Sequence, residues 1–136
     1  MIEYDQPLPI EQEHSSASMN DKFAQLDIGL LVSMLGEDTD VHCMVFNAFI
    51  QSAGEQVKLI NAYTESENYV DLSFQSHGLK SASKSIAALG LADICQQIES
   101  LANINSINEQ LIIDLNLCFE SVMADLKYYC QQHEAP

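Results

Sequence analysis

One histidine of this chain lies beside two cationic side chains, and the combination suits a particular chemistry. Residues 76–81 read Ser-His-Gly-Leu-Lys-Ser, which places His77 and Lys80 one helical turn apart, and Lys84 follows one turn later. Neutral imidazole is a nucleophile at near-neutral pH, because its ordinary pKa is about 6.5. Ammonium groups neutralise phosphate oxygens as point charges. The segment therefore suits a phosphoryl group as its ligand.

These lysines stand out because the rest of the chain is strongly acidic. The 136 residues hold 5 Lys+Arg, all of them lysine, against 20 Asp+Glu, for a formal net charge of −15. Such a balance argues against nucleic acid and anionic membrane as partners, since both need a basic footprint. The apolar runs are far shorter than the roughly 20 residues of a transmembrane helix, and the N-terminus lacks a secretory signal. We expect a soluble cytoplasmic monomer without membrane insertion.

The sequence divides into an N-terminal arm and a body. Residues 1–20 mix prolines, acids and serines without a sustained period, and we interpret them as a mobile acidic arm. From Asp21 onward there is no proline until Pro136 and no long run of β-branched residues, which predicts an all-α domain over residues 21–136. The four cysteines include no C-x-x-C pair and are interpreted as reduced core or boundary residues.

Apolar spacing predicts five helices in this body. They are expected over about residues 23–35, 39–65, 68–86, 91–102 and 107–129. Gly36 should end the first helix, and Asp38 or Thr39 should cap the second. Ser66 or Asn68 should cap the third, and Ser106 with Glu109 fits a capping box that opens the fifth. Two long helices, a pair separated by a bend, and short connections predict an antiparallel up-down four-helix bundle. The short first helix would cover one end of it.

Helical phasing predicts which way His77 faces. Three apolar residues of the third helix recur every seven positions and should face the core: Leu72, Leu79 and Ile86. Since a helix turns about 100° per residue, His77, Lys80, Ser81 and Lys84 then lie on the opposite, solvent-facing side. An exposed histidine is often an idle surface residue, but two lysines beside it favour an anionic ligand. The small residues Gly78 and Ser81 would let a partner protein approach the ring.

These residues resemble the histidine-containing phosphotransfer (HPt) family of bacterial two-component phosphorelays. That family usually shows His-x-Leu-Lys-Gly-Ser-Ala, then Gly-Ala, then Leu-x-x-x-Cys-x-x-Leu-Glu. Residues 77–83, 87–88 and 91–99 are similar to these three runs, and no gap interrupts the register from His77 to Glu99. Ser81 and Ala87 stand at positions where the family commonly has glycine.

The resemblance implies a role for each matching residue. His77 would accept and donate the phosphoryl group, Lys80 would steady it, and Glu99 would hydrogen-bond or orient the imidazole. Glu99 as a solvated boundary carboxylate is an equally open interpretation. Lys84 is not a family-wide position, and it is interpreted either as steering phosphate or as a solubilising lysine.

The resemblance also implies partners. His77 would exchange its phosphoryl group reversibly with the aspartate of a response-regulator receiver domain, and a hybrid sensor kinase is a second expected partner. Mg²⁺ would come with the receiver, because no acidic cluster near His77 in the sequence could hold it. No nucleotide-binding loop occurs, so a phosphocarrier without a cofactor of its own is expected rather than a kinase. Docking should use the apolar and small residues around His77, with a contribution from the first helix.

Three other functions fit the sequence less well. A helical-bundle adaptor that binds a signalling protein and never carries phosphate is the main alternative. A metal-binding bundle is disfavoured, because His14, His42 and His133 show no paired ligand spacing and are interpreted as surface or boundary residues. A hydrolase is weaker still, since Ser76 and His77 point about 100° apart on one helix.

Overall fold

The computed structural model describes residues 25–133, and this part of the chain is all-helical. It contains five helices and no strand: Ile28–Leu35 (α1), Thr39–Glu65 (α2), Tyr69–Ser85 (α3), Leu89–Ala102 (α4) and Glu109–Gln132 (α5). The prediction of an all-α domain is confirmed for these residues. None of the helices between residues 25 and 133 has the length and apolar character needed to cross a membrane. The predicted arm at residues 1–20 lies outside the described residues.

Side chains at the helix N-termini explain where most of the helices begin. Asp38 caps α2 by accepting from the backbone N–H of Asp40, and Asn68 caps α3 by accepting from the N–H of Asp71. Both caps satisfy backbone donors that have no intrahelical partner, and both were among the predicted start positions. The loop between the two helices turns through Glu67, whose φ is 55°.

Two predicted starts are wrong, and in each case a different residue caps the helix. The capping box of Ser106 and Glu109 does not form, because Asn108 caps α5 instead by accepting from two N–H groups in its first turn. The backbone N–H of Ser106 donates to the carbonyl of Leu101, in the turn that follows α4. The first helix begins at Ile28 rather than near residue 23, since Asp27 accepts from the N–H of Leu30. Gly36 ends that helix as predicted, with a φ of 82°.

The predicted bend after the third helix is shorter than expected. It covers residues 86–88, so that Leu89 and Gly90 already belong to α4. Ala87 forms the bend with a φ of 59°, in the left-handed region that glycine adopts most easily. Its side chain is fully buried and its carbonyl accepts from the N–H of Asp27, which attaches the start of α1 to this end of α3.

Helix packing places α3 between two neighbours. α3 packs against α2 and α4, α5 packs against α2 and α4, and α1 contacts α2. The three residues predicted to face the core, Leu72, Leu79 and Ile86, are all fully buried. Their burial sets the rotation of α3 about its axis and directs the opposite face toward solvent. Each such leucine stabilises the fold by about 2 to 5 kcal/mol relative to alanine.

The interpretation of His42 as a surface or boundary residue is wrong. Its side chain is only 1% exposed, and its two ring nitrogens contact the Gly36 carbonyl at 2.8 Å and the Tyr129 hydroxyl at 2.7 Å. A carbonyl can only accept, so Nε2 donates to Gly36, and in a neutral ring Nδ1 then accepts from Tyr129. His42 therefore joins the end of α1 to α5. By contrast, His133 is exposed as predicted, and His14 lies outside the described residues.

Candidate functional site

His77 lies in the middle of α3 with its ring in solvent. The neighbouring inward positions, Ser76 and Leu79, are fully buried, whereas the side chain of His77 is 59% exposed. This orientation agrees with the predicted phasing. The ring is held in place by one contact with the adjacent helix, where Nδ1 lies 3.0 Å from Oε2 of Glu99 on α4.

Glu99 also binds Lys80, so that one carboxylate joins both residues. Its second oxygen, Oε1, accepts from Nζ of Lys80 at 2.9 Å. The prediction that Lys80 faces solvent together with His77 needs correction, because the lysine side chain is only 14% exposed. It lies about 60° from His77 around α3, on the side of α4, where the carboxylate attracts its ammonium group. The lysine stem is long enough to cover apolar surface on the way.

The ionisation of Glu99 determines which nitrogen of His77 carries the proton. Burial by itself would raise the pKa of the Glu99 carboxyl, but hydrogen bonds from Lys80 and His77 outweigh burial and lower the pKa below its ordinary value. The carboxylate is thus ionised at neutral pH and can only accept. Nδ1 of a neutral His77 must then be the donor, which leaves the lone pair on Nε2.

The small residues beside His77 serve different purposes. Gly78 is half-buried and faces α2, where an added Cβ would lie 3.2 Å from Nε2 of Gln56. Its lack of a side chain therefore makes room for a neighbouring helix as well as keeping the surface low. Ser81 is exposed one turn beyond His77, on the same face.

Lys84 is exposed in the last turn of α3 and is not brought into the cluster of His77, Lys80 and Glu99. A lysine in the last turn of a helix interacts favourably with the helix dipole, so Lys84 stabilises α3 even when no ligand is bound. It also lines a shallow hollow between α3 and α4 together with Lys80. The position is thus compatible with both of its predicted roles.

A comparison with known protein families agrees with this geometry. The model of the Hpt domain family matches residues 44–129. The chain belongs to the Hpt domain family. The match runs from α2 to α5 and includes every residue of the cluster around His77. Searches of curated proteins and of solved structures gave no match.

Membership of this family gives the general function. Hpt domains take part in histidine phosphotransfer in phosphorelays, and they interact with response-regulator receiver domains and with kinases. They are phosphocarriers and have no kinase activity. The resemblance inferred from residues 77–99 is therefore confirmed by the match over the larger part of the chain.

This Hpt domain contains a contact that the sequence did not reveal. Gln96 on α4 accepts from Nζ of Lys80 through its side-chain oxygen at 2.8 Å, and its amide nitrogen donates to Oγ of Ser100 at 2.9 Å. In the sequence, this contact is indicated by the position of Gln96 three residues before Glu99, which places both side chains on the same side of the helix. Polar residues at that spacing are common on exposed helix faces, so the signal was not specific.

Cys95 lies beneath the cluster, one turn before Glu99. It is fully buried, and burial raises the pKa of its thiol to about 12. The thiol is therefore neutral and packs as a small apolar group under the site. In the part of the chain that the structure describes, no three histidine, cysteine or carboxylate side chains group in a way that could hold a metal ion.

Apolar side chains flank His77 on one side of the exposed face. Val70 and Phe74 precede it on α3 at helical spacing, and both are largely exposed, as is Ile104 after the end of α4. A 2.6 Å hydrogen bond between Ser73 and Asn103 joins the two chain segments that carry these side chains. The face around His77 is consequently apolar toward the start of α3 and small or basic toward its end, at Ser81 and Lys84.

Proposed function

We propose that His77 is the phosphoacceptor of this Hpt domain, and that it exchanges a phosphoryl group reversibly with the aspartate of a response-regulator receiver domain. The observation that carries the proposal is the exposed imidazole whose Nδ1 is bound by an ionised carboxylate. That arrangement presents Nε2, with its lone pair, to an approaching partner. His133 is also exposed, but its ring lies against Tyr129 at the end of α5, with the ring centroids 4.5 Å apart and the planes tilted by 45°, and no carboxylate contact to it is seen in the described residues.

The transfer step balances without a proton leaving the site. The lone pair of Nε2 attacks the phosphorus of the partner's aspartyl phosphate and forms an N–P bond. The P–O bond to the aspartate breaks, and the carboxylate leaves with the electron pair. The ring is now a phosphoimidazolium whose proton stays on Nδ1, hydrogen-bonded to Glu99. Return transfer reverses the same bonds, so one geometry serves both directions.

Lys80 would stabilise the phosphoryl group as it arrives. An ammonium group has three N–H donors, and Glu99 and Gln96 accept two of them. The third can bind a phosphoryl oxygen, which makes Lys80 a local cation for the transferring group. Mg²⁺ is expected only in the receiver, where it would neutralise the aspartyl phosphate. No cofactor of the Hpt domain enters the step.

The docking surface proposed here is centred on His77. Val70, Phe74 and Ile104 offer apolar contact on one side, while Gly78 and Ser81 keep the surface around the ring low. A standard interface buries about 800 Å² on each partner. α1 attaches at Ala87, just past the end of α3. That end lies about 12 Å along the helix from His77 by helix rise, within reach of such a footprint.

The architecture we propose is the antiparallel up-down four-helix bundle, formed by α2 to α5, with α1 as the short additional helix. The packing of each long helix against two others supports it. The domain would comprise residues 21–136, preceded by the acidic arm at residues 1–20, and would act as a monomer. A hybrid sensor kinase is the proposed source of phosphate in addition to receiver domains.

The decisive experiment mixes the protein with phosphorylated receiver domains and follows label that is acid-labile and alkali-stable, as a phosphoramidate is. Wild-type protein should gain the label, and His77→Gln should not. His133→Gln is the matched control, since it removes another exposed histidine, and it should be labelled normally. Label on His77→Gln at the wild-type level would refute the assignment. A wild-type protein that binds receivers but never gains label would instead support the adaptor alternative.

A further inference from the structure

We propose that Gln96 is a positioning residue that fixes the Lys80 ammonium group for contact with the phosphoryl group, an inference that rests on the proposed role of His77. Gln96 touches neither His77 nor the position of the reacting atoms. It would act only through Lys80, which it holds by one hydrogen bond at 2.8 Å.

The geometry places Nζ of Lys80 between two acceptors from one helix. Gln96 and Glu99 are three residues apart on α4, so their side chains lie one above the other and both reach toward α3. Ser100 accepts from the amide nitrogen of Gln96 at 2.9 Å. The Lys80 ammonium group fixes the orientation of the amide, because it can only donate and the opposite orientation would set an N–H donor against it. The side-chain oxygen of Gln96 is thereby directed at Lys80.

A second acceptor matters because of the nature of lysine. Its ammonium group is a compact charge on a flexible four-carbon stem, and one bond to Glu99 would let it rotate about that contact. Two fixed acceptors define the direction of the third N–H. A lysine whose free donor already points toward the phosphoryl position loses less entropy when it binds.

The neutrality of Gln96 is also significant. A carboxylate at this position would hold Lys80 as well, but it would add a second negative charge beside the phosphoryl group. Glu99 and Lys80 together carry no net charge, and an amide acceptor leaves that balance unchanged. Gln96 can therefore position the cation without repelling the group that the cation has to bind.

The neighbouring glutamine provides a matched control. Gln97 is exposed on the same helix, but its amide donates to Asp93 at 2.9 Å within α4, whereas Lys80 donates to Gln96 and Glu99. Gln96→Ala and Gln97→Ala thus remove the same side chain from adjacent positions. Only the first variant loses a contact with Lys80, while the effect on helix propensity is the same in both.

The test measures the rate at which each variant gains phosphate from an excess of phosphorylated receiver domain. We expect Gln96→Ala to slow transfer by about threefold to tenfold, the range for losing one ordinary hydrogen bond, because solvent reaches this contact and weakens the advantage of the charged donor. Gln97→Ala should match wild type. In a Lys80→Ala background, Gln96→Ala should change the rate by less than about twofold, because a residue that acts through Lys80 has no effect without it.

A spectroscopic measurement covers the case in which Lys80→Ala is too slow to follow. With ¹⁵N-labelled lysine, the Lys80 ammonium resonance should exchange faster with water in Gln96→Ala than in Gln97→Ala. Equal rates and equal exchange in the two variants would overturn the inference, as would a full Gln96→Ala effect in the Lys80→Ala background. Neither result would affect the role of His77, which fails only if wild-type protein is not labelled or His77→Gln is.

Discussion

Replacing Glu99 by glutamine tests the chemistry of the site most directly. The substitution keeps the size of the side chain and removes its charge. In the proposed step the imidazole is neutral before attack and cationic afterwards, so the carboxylate 3.0 Å from Nδ1 stabilises the product ring more than the free ring. A hydrogen bond to a charged group contributes about 1.5 to 3 kcal/mol. Because the His77 side chain is 59% exposed, the lower end of this range applies.

A second effect of the same substitution has the opposite sign. Without Glu99, the ammonium group of Lys80 is no longer neutralised and attracts the phosphoryl group more strongly. Two charges about 4 Å apart interact by about 1 kcal/mol in water, and salt reduces this further. The loss at the ring therefore exceeds the gain at Lys80 by roughly 0.5 to 1 kcal/mol, and Glu99→Gln should slow transfer about twofold to fivefold.

The assay is the rate of phosphohistidine formation from an excess of phosphorylated receiver domain. Glu120→Gln, an exposed position on α5, changes the formal net charge of −15 by the same one unit and serves as the control. It should transfer at the wild-type rate, which would show that the loss of overall charge is unimportant. If Glu99→Gln is as fast as Glu120→Gln, the carboxylate does not stabilise the ring, and the argument for its role fails.

Three further predictions concern stability. Leu79→Ala should lower the free energy of unfolding by about 3 kcal/mol in urea titrations, since the side chain is fully buried; a loss below about 1 kcal/mol would contradict the packing of α3. His42→Leu should cost about 1 to 3 kcal/mol, because it removes two hydrogen bonds at a buried position; an unchanged midpoint would show that the bonds contribute nothing. Burial opposes ionisation of Glu99, but the hydrogen bonds from Lys80 and His77 outweigh burial and lower the pKa of its carboxyl in the folded protein. The ionised form of Glu99 therefore stabilises the fold at pH values above the unfolded pKa of about 4.3. This stabilisation should be lost as the pH falls through the lower pKa of the folded protein. The difference in unfolding free energy between wild type and Glu99→Gln should therefore shrink over the same pH range, and a difference that does not depend on pH would contradict the lowered pKa.

The parts of the fold that could be predicted from the sequence depend on local interactions. Asp38 and Asn68 cap their helices through N–H groups only two or three residues away, and the Leu72, Leu79 and Ile86 stripe follows from helical period alone. The Ser106 cap failed although its motif is local, because Asn108 is an equally good cap and lies closer to the helix. Sequence patterns could not decide between two adequate caps.

Long-range partners explain the remaining errors. His42 precedes Phe46 and Phe49 at helical spacing, which indicates burial, but its hydrogen-bond partner Tyr129 lies 87 residues away. Lys80 was expected in solvent because phasing on α3 considers one helix at a time. Its actual position depends on the carboxylate of Glu99, which lies beside Lys80 because α4 packs against α3.

The pairing of Lys80 with Glu99 explains how so acidic a chain can receive a phosphoryl group. At physiological ionic strength charges are screened beyond about 8 Å, so the acids far from His77 contribute little there. The proposed phosphorylated cluster of His77, Lys80 and Glu99 contains one ammonium, one carboxylate, one imidazolium and a phosphoryl group of about two negative charges. These charges sum to about −1, and the sum would be about −2 without Lys80. A single positioned lysine therefore matters more at this site than the overall charge of the protein, and the scarcity of cationic residues elsewhere is no obstacle to phosphotransfer.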